Sequence, residues 1–124
     1  MQIRTSAEDY LETILLLSKK TGAVRSIDIV TDMGLSKPSV SVAMKKLRES
    51  RMISMDGDGY ITLTEKGEHA AEQIYERHST LYEWLVSIGI RNEVAAMDAC
   101  LMEHVLSEDT FTAIKRLLEE NVKP

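Results

Sequence analysis

A mostly α-helical chain with one small β-hairpin is what the sequence predicts, on three observations. Two short segments with apolar residues at helical spacing, one carrying Ile27, Ile29 and Val30 and the next Val40, Met44 and Leu47, meet at Gly34-Leu35-Ser36, the spacing of a helix-turn-helix. Directly after them, Met52 to Leu63 holds two short runs rich in Ile, Met, Tyr and Leu around a Gly- and Asp-rich turn, the pattern of a hairpin. From Thr64 onwards, apolar residues recur every three or four positions, as on helices. The expected organisation is an N-terminal winged helix-turn-helix over residues 1–63 and a C-terminal helical dimerisation domain over residues 64–124.

Each element has its own local grounds. Thr5 and Glu8 form a capping box for a first helix that runs to about Lys19, closes at Gly22, and puts Leu11, Ile14 and Leu15 on its core face. Ser26 is expected to cap the second helix, which ends at Gly34. Ser36 caps the third, with Pro38 in its first turn, where a missing N–H costs nothing. The hairpin follows, with Asp56 and Asp58 at a tip that phosphates would repel. Thr64 caps a long fourth helix, with Gly67 as a weak point and a stripe of Ala71, Ile74, His78, Leu81 and Leu85. A fifth helix starts near Asn92 and runs through residues 98–107, with Val94, Met97, Leu101 and His104 as its inward stripe and Cys100 and Glu103 beside it. Ser107 opens a last helix whose core face is Phe111, Ile114 and Leu118. The second half offers more apolar area than it can bury alone, which points to a homodimer.

Composition narrows the function classes. The chain has 124 residues and a net charge of −5, which suits one compact domain or two small ones. No apolar run is long enough to span a membrane and no secretory leader follows Met1, so a cytoplasmic protein is expected. A lone cysteine excludes an internal disulfide and fits a reducing compartment. The acidity is uneven: residues 1–63 are close to neutral, whereas residues 64–124 carry twice as many acids as bases. One half can therefore meet an anionic partner while the other is rich in carboxylates.

The outward face of the third helix supplies the basic segment. Pro38, Val42 and Lys45, flanked by Ser36, Lys37, Ser39 and Lys46, point away from its core stripe. Serine hydroxyls and helix-start amides suit phosphate, and an outward valine suits the thymine methyl in the major groove. Double-stranded DNA is the partner this face fits. A charged surface helix with a stray valine is the plainer explanation, and the turn before it and hairpin after it weigh against that.

Three helices also offer metal ligands: Asp9 and Glu12 on the first, His78 on the fourth, and Cys100, Glu103 and His104 near the end of the fifth. Each has an ordinary explanation, a charged first turn, a satisfied core histidine or a small apolar thiol, but the set together suits a divalent transition metal rather than calcium or magnesium.

The order of helices and the fragments Glu8 to Glu12, Arg77-His78 and Cys100-x-x-Glu103-His104 resemble the diphtheria toxin repressor and manganese transport regulator family over nearly the whole chain. The resemblance implies a dimeric, metal-activated repressor of metal-homeostasis genes that binds a pseudo-palindromic operator. Asp9, Glu12, His78, Glu103 and His104 match ligand positions of the manganese-sensing branch, and Cys100 matches the iron-sensing branch. Ser36, Pro38 and Val42 fall where iron-sensing relatives touch DNA. Tyr82 and Ala96 stand where the ancillary site of that branch has Glu and His, and the SH3-like third domain of its longer members is not expected here. The thiolate favours Fe(II), with Mn(II) next and Zn(II), Co(II) or Ni(II) as surrogates. Metal between the two halves is expected to relieve repulsion among the carboxylates and to favour the spacing of recognition helices that fits successive grooves. Two alternatives remain on the residues alone: a winged-helix regulator with an organic effector, and a small zinc hydrolase, since Cys100-x-x-Glu103-His104 is one residue from H-x-x-E-H.

Overall fold

The computed structural model describes residues 7–122, in the order α1 (Ala7–Thr21), β1 (Val24–Arg25), α2 (Ser26–Met33), α3 (Lys37–Glu49), β2 (Ile53–Met55), β3 (Tyr60–Leu63), α4 (Glu65–Ser87), α5 (Asn92–Met102) and α6 (Glu108–Val122). The chain divides into two compact units that meet at Gln73 and Ile74. Thr5 lies outside the described residues, and with it the expected capping box. Among the described residues no helix is long and apolar enough to cross a membrane. The mostly helical class with a small antiparallel sheet is as the sequence predicts.

In the first unit, helical spacing brings Leu11, Ile14 and Leu15 of α1 against Ile29 of α2 and Val40, Met44 and Leu47 of α3 in one buried cluster. Each such side chain contributes about 1.5–3 kcal/mol on burial, so this cluster, and not the exposed helix faces, holds the unit together. Gly34 takes the left-handed conformation (φ 65°) and its N–H bonds to Val30 O at 3.0 Å. Ser36 then caps α3, its hydroxyl accepting the Ser39 N–H at 3.2 Å, with Pro38 in the first turn. Ser26 is not the cap of α2. Arg25 holds that place in an extended conformation, and its N–H donates to the Asp28 carboxylate at 2.8 Å. Strand pairing is the cause, because Arg25 lies opposite Tyr60 in the sheet.

That pairing also enlarges the expected hairpin. Its strands register Ile53 with Leu63, Ser54 with Thr62 and Met55 with Ile61, and β1 adds a third strand on the far edge of β3, in the order β1-β3-β2. The acidic tip has a local reason: the Asp56 carboxylate accepts the N–H groups of Asp58 and Tyr60, each at 2.9 Å, so it closes its own turn. Thr64 caps α4 by accepting the Gly67 N–H at 3.1 Å. Gly67 is less a weak point than a requirement, since a Cβ there would stand 1.9 Å from the Met52 carbonyl oxygen.

In the second unit, Leu81 and Leu85 of α4 pack with Ala95 and Ala99 of α5, bordered by Tyr82, Trp84, Met102 and Ile114. Phe111 and Leu118 of α6 are buried, as expected. The stripe expected for α5 is not the observed one. Met97 is 70% exposed and Leu101 36% exposed, whereas Ala95, Ala99 and Glu103 are buried. Ala95 and Ala99 share one face with Glu103 and pack with Leu81 and Leu85, which leaves Met97 and Leu101 on the outward side. α5 also ends earlier than expected, at Met102.

Candidate metal centre and nucleic-acid interface

The end of α5 decides where the candidate ligands stand. Cys100 lies in the last turn and is exposed. Glu103 is the C-cap, still helical in its backbone (φ −59°, ψ −24°), and its N–H bonds to Ala99 O at 3.0 Å. His104 and Val105 form the turn that follows. The expectation that the fifth helix runs on through Cys100, Glu103 and His104 therefore needs correction. The helix ends at Met102, before two of them, while Glu103 keeps helical backbone geometry and continues the buried face of Ala95 and Ala99.

The result is one carboxylate buried beside two imidazoles. The Glu103 side chain is fully buried; its Oε2 lies 3.0 Å from His78 Nδ1, and its Oε1 lies 3.3 Å from His104 Nε2. The first contact is a hydrogen bond. The second lacks hydrogen-bond geometry, so Oε1 remains a buried acceptor with no hydrogen bond. A buried oxygen left so is costly in a low-dielectric site, and a cation would satisfy it. The two spacings run to different oxygens of Glu103, so each imidazole stands beside one carboxylate oxygen. Nitrogen and carboxylate donors together suit first-row transition metals. Of the expected ligands, the second unit thus brings His78, Glu103 and His104 together, with Cys100 one helical turn before Glu103. Asp9 and Glu12 belong to the first unit, both half-buried on α1.

Around this centre stands a residue that the motif reading noted only in passing. Arg77 Nη1 donates to the carbonyl oxygens of Glu103 at 3.2 Å and Leu106 at 2.9 Å. Its Nη2 pairs with Glu108 Oε2 at 2.9 Å, and its guanidinium lies 5.1 Å from the Phe111 ring centre. The signal in the sequence was its place next to His78, but carbonyl partners have no sequence signature.

The expected DNA-facing residues all lie on one exposed surface of the first unit. Ser36, Lys37, Pro38, Ser39, Lys45 and Lys46 are exposed, and Val42 is 55% exposed. Between this face and the first turn of α1 runs a groove of about 380 Å³, walled in part by Tyr10, Ser39, Val42 and Lys46. Burial, with the neighbouring Asp9 charge, raises the Tyr10 phenol above its ordinary pKa, so it stays neutral there. The wing tip offers no matching charge, because Asp56 and Asp58 are exposed. Behind it, Arg25 is held by the Asp58 carbonyl at 2.6 Å and lies over the Tyr60 ring.

Comparison with known proteins agrees with both halves. Residues 2–66 match the family described as iron dependent repressor, N-terminal DNA binding domain. Residues 64–123 match iron dependent repressor, metal binding and dimerisation domain. The chain is 32% identical over 118 residues to the transcriptional regulator MntR of Escherichia coli O6:H1, covering 95% of this chain and 76% of that protein. It is 30% identical over 114 residues to the iron-dependent repressor IdeR of Mycobacterium tuberculosis, covering 91% of this chain and 50% of that one. Among solved structures, a manganese-dependent transcriptional repressor in complex with manganese superposes with a TM-score of 0.84 at 28% identity, over 92% of this chain and 53% of that one. The chain thus spans about half the length of that solved repressor. With a helix-turn-helix, a buried carboxylate between two imidazoles and both family domains in order, the chain belongs to the iron-dependent repressor family of metal-dependent transcriptional regulators.

Proposed function

We propose that this chain is a metal-activated transcriptional repressor whose homodimer binds a pseudo-palindromic operator of metal-homeostasis genes in the cytoplasm. The observation that carries the reading is the Glu103 carboxylate, buried with His78 Nδ1 at 3.0 Å and His104 Nε2 at 3.3 Å. Its companion is the exposed basic face of α3, where Ser36, Lys37, Ser39, Lys45 and Lys46 would hold phosphates and Pro38 and Val42 would meet base edges. Asp9, Glu12 and Cys100 are proposed as further ligands, on the strength of the sequence motif. A bound divalent cation would supply positive charge to this carboxylate-rich set and favour the DNA-competent form. To take a 1:99 equilibrium to 99:1, metal must prefer that form by about 10⁴-fold, which a site with several ligands can provide.

Fe(II) is the proposed physiological metal and Mn(II) the close alternative. The named relatives include regulators of both kinds. Cys100 is the residue on which the choice turns, because thiolate favours iron over manganese. A hydrolytic reading of Cys100-x-x-Glu103-His104 has no support in a family of transcriptional regulators.

The test is operator binding at fixed salt, with Fe(II), Mn(II), Zn(II) and Co(II) compared for the wild type and Cys100→Glu. Salt must be fixed because it alone moves affinity by orders of magnitude. Metal should tighten DNA binding of the wild type, and Cys100→Glu should shift the preference from Fe(II) towards Mn(II). DNA affinity that ignores every metal would defeat the reading. An unchanged preference would remove Cys100 from the selectivity.

A further inference from the structure

We propose that Arg77 is a positioning residue for the candidate metal centre, fixing the main chain of Glu103 and the turn after it so that the ligand side chains are set before metal arrives. The proposal rests on the metal-binding reading above. Carbonyls at the end of a helix lack partners within the helix, and the end of α5 is where Glu103 and His104 must be held. Arg77 meets that need from α4. Its Nη1 bonds the Glu103 carbonyl at 3.2 Å and the Leu106 carbonyl at 2.9 Å, which brackets the whole turn. The guanidinium is held in its turn by Glu108 at 2.9 Å and by the Phe111 ring at 5.1 Å.

The arrangement separates two tasks on one residue. Arg77 takes the Glu103 backbone oxygen, while the Glu103 carboxylate is left to His78 and His104. The helix dipole also disfavours a carboxylate at a C-terminus, so a cation on the backbone side offsets part of that cost without occupying the ligand oxygens. Only arginine does this well. Its planar fork serves two carbonyls and a carboxylate at once, whereas lysine presents a compact charge on a flexible stem. Metal affinity is sensitive to such support, since ligands must be held within about 0.5 Å of productive geometry.

The three contacts are not equal. Glu108 is 79% exposed in its side chain, and an exposed ion pair contributes little. The carbonyl bonds are half-buried and carry the positioning. Co(II) is the probe, titrated into metal-free wild type, Arg77→Lys, Arg77→Gln and Glu108→Gln, with affinity and the Co(II) visible absorption bands read together. Far-UV circular dichroism establishes that each variant is folded at the titration temperature. Arg77→Lys and Arg77→Gln should bind Co(II) about 10–100-fold more weakly, the loss typical of removing a supporting partner, with altered absorption bands. Glu108→Gln should stay within about twofold of wild type with unaltered bands, as an exposed pair predicts. A folded Arg77→Lys with wild-type affinity and bands would overturn the proposal, as would failure of both Arg77 variants to fold, which would make its role one of general stability. Wild type that binds no Co(II) would instead sink the metal-binding reading itself.

Discussion

A carboxylate without solvent is costly to keep charged, and Glu103 sits fully buried with imidazole nitrogens at 3.0 and 3.3 Å. In the metal-free protein those rings flank the carboxylate, and a neutral amide of the same size avoids the desolvation of a buried charge. In the proposed metal-bound protein the same charge would hold the ion. The two states therefore respond oppositely to Glu103→Gln, which keeps the volume and removes the charge. Without metal, the melting temperature should stay the same or rise. With metal, the ligand-induced rise in melting temperature that follows from binding the native state should disappear, with affinity lost beyond the about 10–100-fold typical of a merely supporting partner. Calorimetric melts with and without Mn(II) read both effects. A variant that melts lower in both conditions by the same amount would make Glu103 an ordinary structural residue.

Among the elements, the junction of wing and α4 shows packing overruling propensity. Replacing a helical glycine with alanine ordinarily gains up to about 1 kcal/mol. At Gly67 the new Cβ would stand 1.9 Å from the Met52 carbonyl oxygen, which also accepts the Thr64 N–H at 3.0 Å. Backbone must move, and overpacking of this kind costs about 1–3 kcal/mol, so Gly67→Ala should destabilise on balance; urea titration followed by circular dichroism measures the sign. The same contrast explains what the sequence made legible. α3 could be read because its signals are local: Ser36, Pro38 and the Val40, Met44, Leu47 stripe all act within one helix. β1 could not, because two residues become a strand only when Val24 meets Ile61, and Arg25 displaced Ser26 as a cap for that reason. The inward face of α5 was misread because Met97 and Leu101 outrank alanine in hydrophobicity, yet the face that packs with Leu81 and Leu85 is that of Ala95 and Ala99. His78, Glu103 and His104 were legible as a set of donor types, but not the end of α5 at Met102, since helix ends shift by one or two residues without a strong sequence mark.

For the molecule as a whole, the outward side chains of the second unit and the proposed DNA-facing ones of the first bear on a single question, how many copies act together. The core of the second unit centres on Leu81, Leu85, Ala95 and Ala99, while Met97 (70%), Val105 (77%) and Ile88 (55%) are exposed. Met97 and Leu101 are one turn apart on α5, so they present a continuous apolar surface. Residues 64–123 match a domain described as metal binding and dimerisation, and a second copy of this chain is the partner proposed for that surface. Electrostatics gives the dimer a measurable consequence. With a net charge of −5, the proposed DNA contact would rely on the few cations of α3 to hold phosphate, and two copies would double the phosphates neutralised. The dependence of log affinity on log salt scales with that number. Met97→Glu places a charge where an apolar partner would otherwise exclude water, and should convert the protein from dimer to monomer in sedimentation velocity. Its DNA affinity should fall and its salt slope should drop to about half the wild-type value, while metal binding by the monomer persists. A Met97→Glu protein that still sediments as a dimer with an unchanged slope would place the contact between copies elsewhere.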